Sequence, residues 1–225
     1  IIQLNKNPSI ELNASNKSSL TIQDILDPTW FDDNLKQVSY DSTYYQWQYA
    51  DNTFNKKFTY YINDEYEQID IYNIDGSLSE ESQSAIPISN DVERYINSVF
   101  TNLDPKLDID FKRVYSNNDA DVSIYKTSGM GDDLGSTYTS IVDQINDTTF
   151  TLRYQVFWSE TPNQSQFLDN YGNLSIDTAH TIKHEIAHAL ELNHKGSPGY
   201  ENLIDPWNSR YDWEDTIMSY NTDSL

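Results

Sequence analysis

From Lys57 onward the chain switches between two hydrophobic periods. Phe58-Thr59-Tyr60-Tyr61-Ile62 is dense in aromatic and β-branched residues and predicts a first strand. Between Asn90 and Leu103 the residues Val92, Tyr95, Ile96, Val99 and Phe100 recur at spacings of three and four, the period of an amphipathic helix. Ser89 or Asn90 can serve as its N-cap, Glu93 lies in the first turn, and Pro105 supplies a stop. Leu107 to Val114 alternates like a strand, and Ala120 to Lys126 predicts another. Thr137 to Val142 and Thr149 to Trp158 flank Gln144-Ile145-Asn146-Asp147 and predict a hairpin. Asp64 to Glu81 is mixed, with a turn signal at Asp75-Gly76, and Gly129 to Gly135 reads as a loop. A second helix is expected from about Ile176 to Leu190, with Ser175 or Asp177 as N-cap. Lys195 to Asp215, holding Gly196, Pro198, Gly199 and Pro206, reads as irregular coil. One helix among several strands, then a second helix, predicts an α+β fold.

The second predicted helix carries the densest chemistry. HEIAHALELNH, residues 184 to 194, contains His184, Glu185, His188 and His194. One helical turn separates His184 from His188, so both imidazoles leave the same face and suit adjacent corners of a tetrahedral Zn²⁺ site. Glu185 is rotated by about 100° from His184, awkward for a ligand but within reach of a water activated at the metal. That makes it the natural general base. His194 can join as third ligand only if the helix stops soon after Leu190 and the chain turns back. All four histidines fall between positions 180 and 194, which scattered surface use would not produce. His180 lies one turn before His184 and rivals it on spacing alone, although a packed histidine is the commoner outcome there.

These residues, with Thr216-Ile217-Met218-Ser219-Tyr220 near the C-terminus, resemble the metzincin metallopeptidases, and most of all their serralysin and astacin branches. Further upstream, Ala120-Asp121-Val122 is similar to a strand of that family, and Tyr171-Gly172 to the segment leading into its active-site helix; the likeness covers roughly residues 55 to 225. It implies a metzincin-like catalytic domain over residues 56–225: a twisted mixed β-sheet, a backing helix, a zinc-binding helix, and an irregular C-terminal subdomain with a Met-turn. His184, His188 and His194 would be zinc ligands, Glu185 the base, Met218 the apolar floor, and Tyr220 a displaceable ligand that assists catalysis. An edge strand should line the cleft and pair with the substrate backbone; by order of elements it lies near Gly135 to Asp143. The expected activity is that of a secreted zinc endopeptidase acting on protein or peptide substrates. One position departs from the family pattern. Glu191 stands where the family carries the glycine that breaks the helix, and Asn193, which tolerates a left-handed conformation, is the substitute.

Composition narrows the picture. The 225 residues suffice for a sizeable core in one or two domains, and a monomer is expected. A net charge of -22 argues against nucleic acid and anionic membrane as partners, and no apolar run reaches spanning length. Most of that charge reads as a solvated surface; Ca²⁺ is the sharper alternative, at Asp27 to Asp33 or Gly131-Asp132-Asp133. Absence of cysteine excludes disulfides and a cysteine-based latency switch. Residues 1–55, rich in Asn, Ser and Asp, read as an N-terminal arm or a pro-segment in the cleft, where Asp27, Asp32 or Asp33 would cap the metal. Ile1 suggests a processed form, and the end five residues after Tyr220 suggests C-terminal truncation. A latent zymogen, a degenerate metzincin kept as a protein-binding module, and a purely structural zinc site are the competing readings. Activation on trimming would mark the first, zinc without hydrolysis the second, and a closed coordination shell the third.

Overall fold

A computed structural model describes residues 57–105, 107, 110–130, 133–146, 149–160, 166–190, 192 and 217–218. They form an α+β arrangement of one mixed sheet and two long helices. The strands are β1 (Lys57–Ile62), β2 (Glu67–Tyr72), β3 (Leu78–Ile86), β4 (Asp110–Arg113), β5 (Val122–Thr127), β6 (Gly135–Asn146) and β7 (Thr149–Trp158). The helices are α1 (Asn90–Leu103) and α2 (Ile176–Ala189). The expected arm or pro-segment and the calcium candidates Asp27 to Asp33 and Gly131-Asp132 lie outside the described residues.

β5 sits centrally. It pairs in parallel with β1 and with β7, and its last residues pair antiparallel with β3. β4 extends the sheet in parallel beyond β1, β2 pairs with β3, and β6 runs antiparallel beside β7. A strand with neighbours on both sides and cover on both faces is buried almost throughout, and five of the six residues of β5 are buried, the polar Ser123 and Thr127 among them. Its approach is anchored by Asp121, whose Oδ2 accepts from the Thr59 N–H at 2.6 Å and from Thr59 Oγ1 at 2.7 Å. Asp121 also donates its N–H to the Thr59 carbonyl and accepts the Tyr154 N–H through its own, so one residue ties β1, β5 and β7 together.

Both helices pack on one face of the sheet. Phe58, Tyr60 and Ile62 of β1, Val122 and Ile124 of β5, and Tyr154, Val156 and Trp158 of β7 point at them. α1 answers with Val92, Tyr95, Ile96, Val99 and Phe100, and α2 with Ala179, Ile182, Ile186 and Ala189. The opposite face holds a smaller cluster of Tyr125 and Phe157, stacked at 5.2 Å, beneath Ile69, Ile71 and Ala85 of the β2–β3 hairpin.

The predicted elements differ from the structure in three places. β4 is shorter than the alternation from Leu107 to Val114 suggests. The mixed stretch from Asp64 to Glu81 belongs to the β2–β3 hairpin, whose Gly76 turns at φ +79°. β6 runs on through Gln144, Ile145 and Asn146, which resemble turn residues, because β7 continues to pair with it as far as Asn146↔Thr149 across two register shifts.

Candidate metal centre

α2 begins with a built cap. Ser175 is in the extended conformation and its Oγ accepts the Thr178 N–H at 3.1 Å, satisfying one of the first-turn donors that a helix leaves orphaned. The turn before it is pressed against α1. Gly172 has φ +60°, and a Cβ there would stand 2.1 Å from Asp91 Oδ2, so glycine is favoured both by its backbone and by this close approach. Tyr95 of α1 meets Tyr171 edge-on at 5.2 Å and donates its hydroxyl to the Ala179 carbonyl at 2.9 Å. These contacts set the height of α2 over the sheet.

The other end of α2 matters as much. Leu190 leaves helical geometry, and the Leu192 N–H donates to the Ala187 carbonyl at 3.0 Å, the long backbone bond of a Schellman-type reversal. The helix therefore stops where a ligand from beyond it would require. Leu192 also turns its carbonyl toward His188 Nδ1 at 2.8 Å. His184 makes the corresponding contact, Nδ1 to the Ile217 carbonyl at 2.8 Å, across a gap of 33 residues. A carbonyl can only accept, so in both rings Nδ1 carries the hydrogen and Nε2 is the nitrogen able to ligate a metal. Burial holds the pKa of His188 below its ordinary value, opposed by the Leu192 carbonyl, and favours the neutral form that a ligand needs.

The two rings stand 4.8 Å apart and nearly perpendicular. One ligand atom from each of His184, Glu185 and His188 falls within 4.8 Å of the others; among the described residues these three are the group able to hold a metal ion. The donors fit a Zn²⁺ ion: two imidazoles one turn apart, each oriented by a backbone carbonyl. His180 is buried, with its ring 6.0 Å from that of His184, and lies outside that group. Met218 is buried at 4% exposure, directly after the residue whose carbonyl holds His184. His194, Tyr220 and Glu191 lie outside the described residues.

Glu185 is 6% exposed. Burial pushes its pKa up to about 7, Asp133 adds to the rise, and a hydrogen bond from Thr137 opposes it. Thr137 Oγ1 lies 2.8 Å from Glu185 Oε2 and 2.9 Å from the Glu185 carbonyl. Gly135, two residues before it on the same face of β6, leaves room for the Glu185 side chain. The sequence reads Gly135 as the end of a loop or the start of an edge strand, and Thr137 as part of that strand and of a hairpin. It does not single out either residue, nor the Ile217 and Leu192 carbonyls, as parts of the site. Among the described residues β6 pairs only with β7, which places it at that edge of the sheet. A separate polar cavity of about 440 Å³ opens on the opposite face, lined by residues including Gln68, Tyr125, Ser140, Arg153 and Gln155, and contains none of the motif residues.

No family model and no curated protein matches the sequence. Among solved structures, the GM1 bound form of the ECX AB5 holotoxin is similar at 18% identity and a TM-score of 0.36, over 67% of this chain. The match spans 58% of that chain's length, and a likeness at that level decides neither fold family nor function.

Proposed function

We propose that this chain is a secreted zinc-dependent endopeptidase with a metzincin-like catalytic domain, acting on proteins or peptides. The observation carrying the reading is the pairing of His184 and His188, both with Nδ1 committed to a backbone carbonyl, beside a buried Glu185. A structural zinc site would have no use for a buried carboxylate next to its ligands, whereas a hydrolytic one needs a base there.

His184 and His188 would hold the ion through Nε2, with His194 as the third ligand implied by the family resemblance. Bound there, zinc would supply a Lewis acid and lower the pKa of water toward ~7. Glu185 takes the proton of the attacking water and later delivers it to the leaving amine. A carboxylate beside the ligands, within reach of water at the metal, suits both transfers. Tyr220, in the family role, donates a hydrogen bond to the developing oxyanion. Met218 closes the apolar floor.

Zinc stoichiometry and casein hydrolysis, with and without a chelator, test the reading. One zinc per chain and chelator-sensitive cleavage are expected. A chain that binds no zinc breaks it, and one that binds zinc but cleaves no unfolded substrate points to the binding-module alternative.

A further inference from the structure

The peptidase reading requires Glu185 to aim its carboxylate at one place, yet a glutamate side chain has three rotatable bonds and ordinarily explores many rotamers. The two residues of β6 that face it restrict that freedom. Thr137 Oγ1 lies 2.8 Å from Glu185 Oε2 and 2.9 Å from the carbonyl of the same residue. One hydroxyl therefore stands within reach of both the backbone carbonyl and the carboxylate of Glu185, and its single hydrogen is shared between these two acceptors. Threonine is itself stiff at χ1 on a strand, so the clamp does not swing with its own rotamers. Gly135 completes the seat. A Cβ at that position would stand 2.6 Å from Glu185 Cγ, 2.6 Å from Oε1 and 2.8 Å from Cδ, distances at which something must move. The Glu185 side chain lies where any other residue at 135 would put its own.

We infer that Thr137 is a positioning residue for Glu185, seating its carboxylate for proton transfer in the space left open by Gly135. This rests on the peptidase reading for its catalytic meaning, but the contact itself does not. The same strand edge that the family resemblance assigns to the substrate backbone thus also holds the base. Moving β6 would then disturb substrate and base together. A purely structural tether would need only the bond to the Glu185 carbonyl, which any replacement of the Glu185 side chain leaves intact.

Two measurements separate these roles. The first uses the metal-free full chain and needs no activity: thermal unfolding of wild type, Thr137→Val, Glu185→Ala and the double variant. Seating predicts that Thr137→Val lowers Tm by about 3–6 °C more in the wild-type background than in Glu185→Ala, where no carboxylate remains to lose its donor. Equal losses in both backgrounds overturn the proposal. The second measures kcat and KM of the zinc-loaded protein on a peptide substrate. Thr137→Val should lower kcat about 10- to 100-fold with KM and zinc content unchanged, and Thr137→Ser should recover kcat to within about 3-fold. Gly135→Ala should lower kcat in the same manner by displacing the carboxylate. Wild-type kcat in Thr137→Val overturns the proposal. An inactive wild type would instead overturn the peptidase reading, leaving the coupling in the metal-free protein to decide whether Thr137 holds Glu185.

Discussion

α1 and α2 are each fourteen residues long and cover the same face of the sheet, yet they bury different things. α1 buries Val92, Tyr95, Ile96, Val99 and Phe100, one aromatic and aliphatic stripe, and leaves its other face to solvent. α2 buries ten residues, and half of them are polar or ionisable: Thr178, His180, Thr181, His184 and Glu185. Desolvating a carboxyl group and imidazoles opposes folding, and aliphatic residues would fill the same volume more favourably. α1 is therefore a buttress whose sequence answers to packing. α2 carries groups that packing does not ask for, and keeps them in place with a side-chain cap, a reversal at its end, and backbone carbonyls aimed at its histidines.

That contrast can be broken most directly at Glu185. Glu185→Ala should retain one zinc and lose about 10²- to 10⁴-fold in kcat, measured on casein or a peptide. Wild-type turnover in this variant would remove the chemical half of the contrast. On the other helix, Phe100 is 1% exposed and stacks on Tyr60 at 4.0 Å. Phe100→Ala should lower unfolding free energy by about 3–5 kcal/mol in urea titration while kcat per folded molecule stays near wild type. A variant that stayed stable but lost activity would make α1 more than a buttress.

A smaller effect concerns pH. In the metal-free protein Glu185 holds its proton up to about pH 7, against an ordinary 4.5. The folded state thus binds the extra proton between those values. Its stabilising contribution is complete below about pH 4.5 and is lost as pH rises through 7, by about 3 kcal/mol in all. Comparing chemical unfolding of wild type and Glu185→Gln from pH 4.5 to 8, with chelator present, isolates this one group. Parallel curves would show that the carboxyl is not protonated by its surroundings. The smallest expected difference lies at the helix starts. Ser175 caps α2 through its side chain, whereas Ser89 makes no side-chain cap bond to α1. Ser175→Ala should cost about 1 kcal/mol and Ser89→Ala only a few tenths, read as urea midpoints. Equal losses would mean that α2 is not held more firmly at its start than α1.

How much of this was legible beforehand depended on the range of the forces involved. α1 was readable to its ends, Asn90 and Leu103, because a stripe of apolar residues at helical spacing is a local property. The start of α2 was readable for the same reason as far as a choice between Ser175 and Asp177, as was the placing of His184 and His188 on one face. β3 was not. Its residues Glu80, Glu81 and Gln83 face solvent or the margin of the smaller cluster, and only Ala85 is fully buried, so no alternation marks it. The far end of β6 was hidden because ladder bonds to β7, rather than its own residues, keep Gln144 to Asn146 extended.

The sequence by itself determined the chemistry that the site can have: two imidazoles at one-turn spacing with a carboxylate next to the first, in a helix with a start signal, followed later by a methionine. Hydrogen bonds and rotations within a helix act over a few residues, and a string of letters records them. Only the tertiary structure decided how those groups are held. The Ile217 carbonyl that orients His184 comes from 33 residues away, and the Thr137 hydroxyl that meets Glu185 from 48. Such partners are chosen by how the sheet and α2 pack, and a threonine on a strand, or a glycine two residues before it, carries no local mark of the carboxylate it will meet.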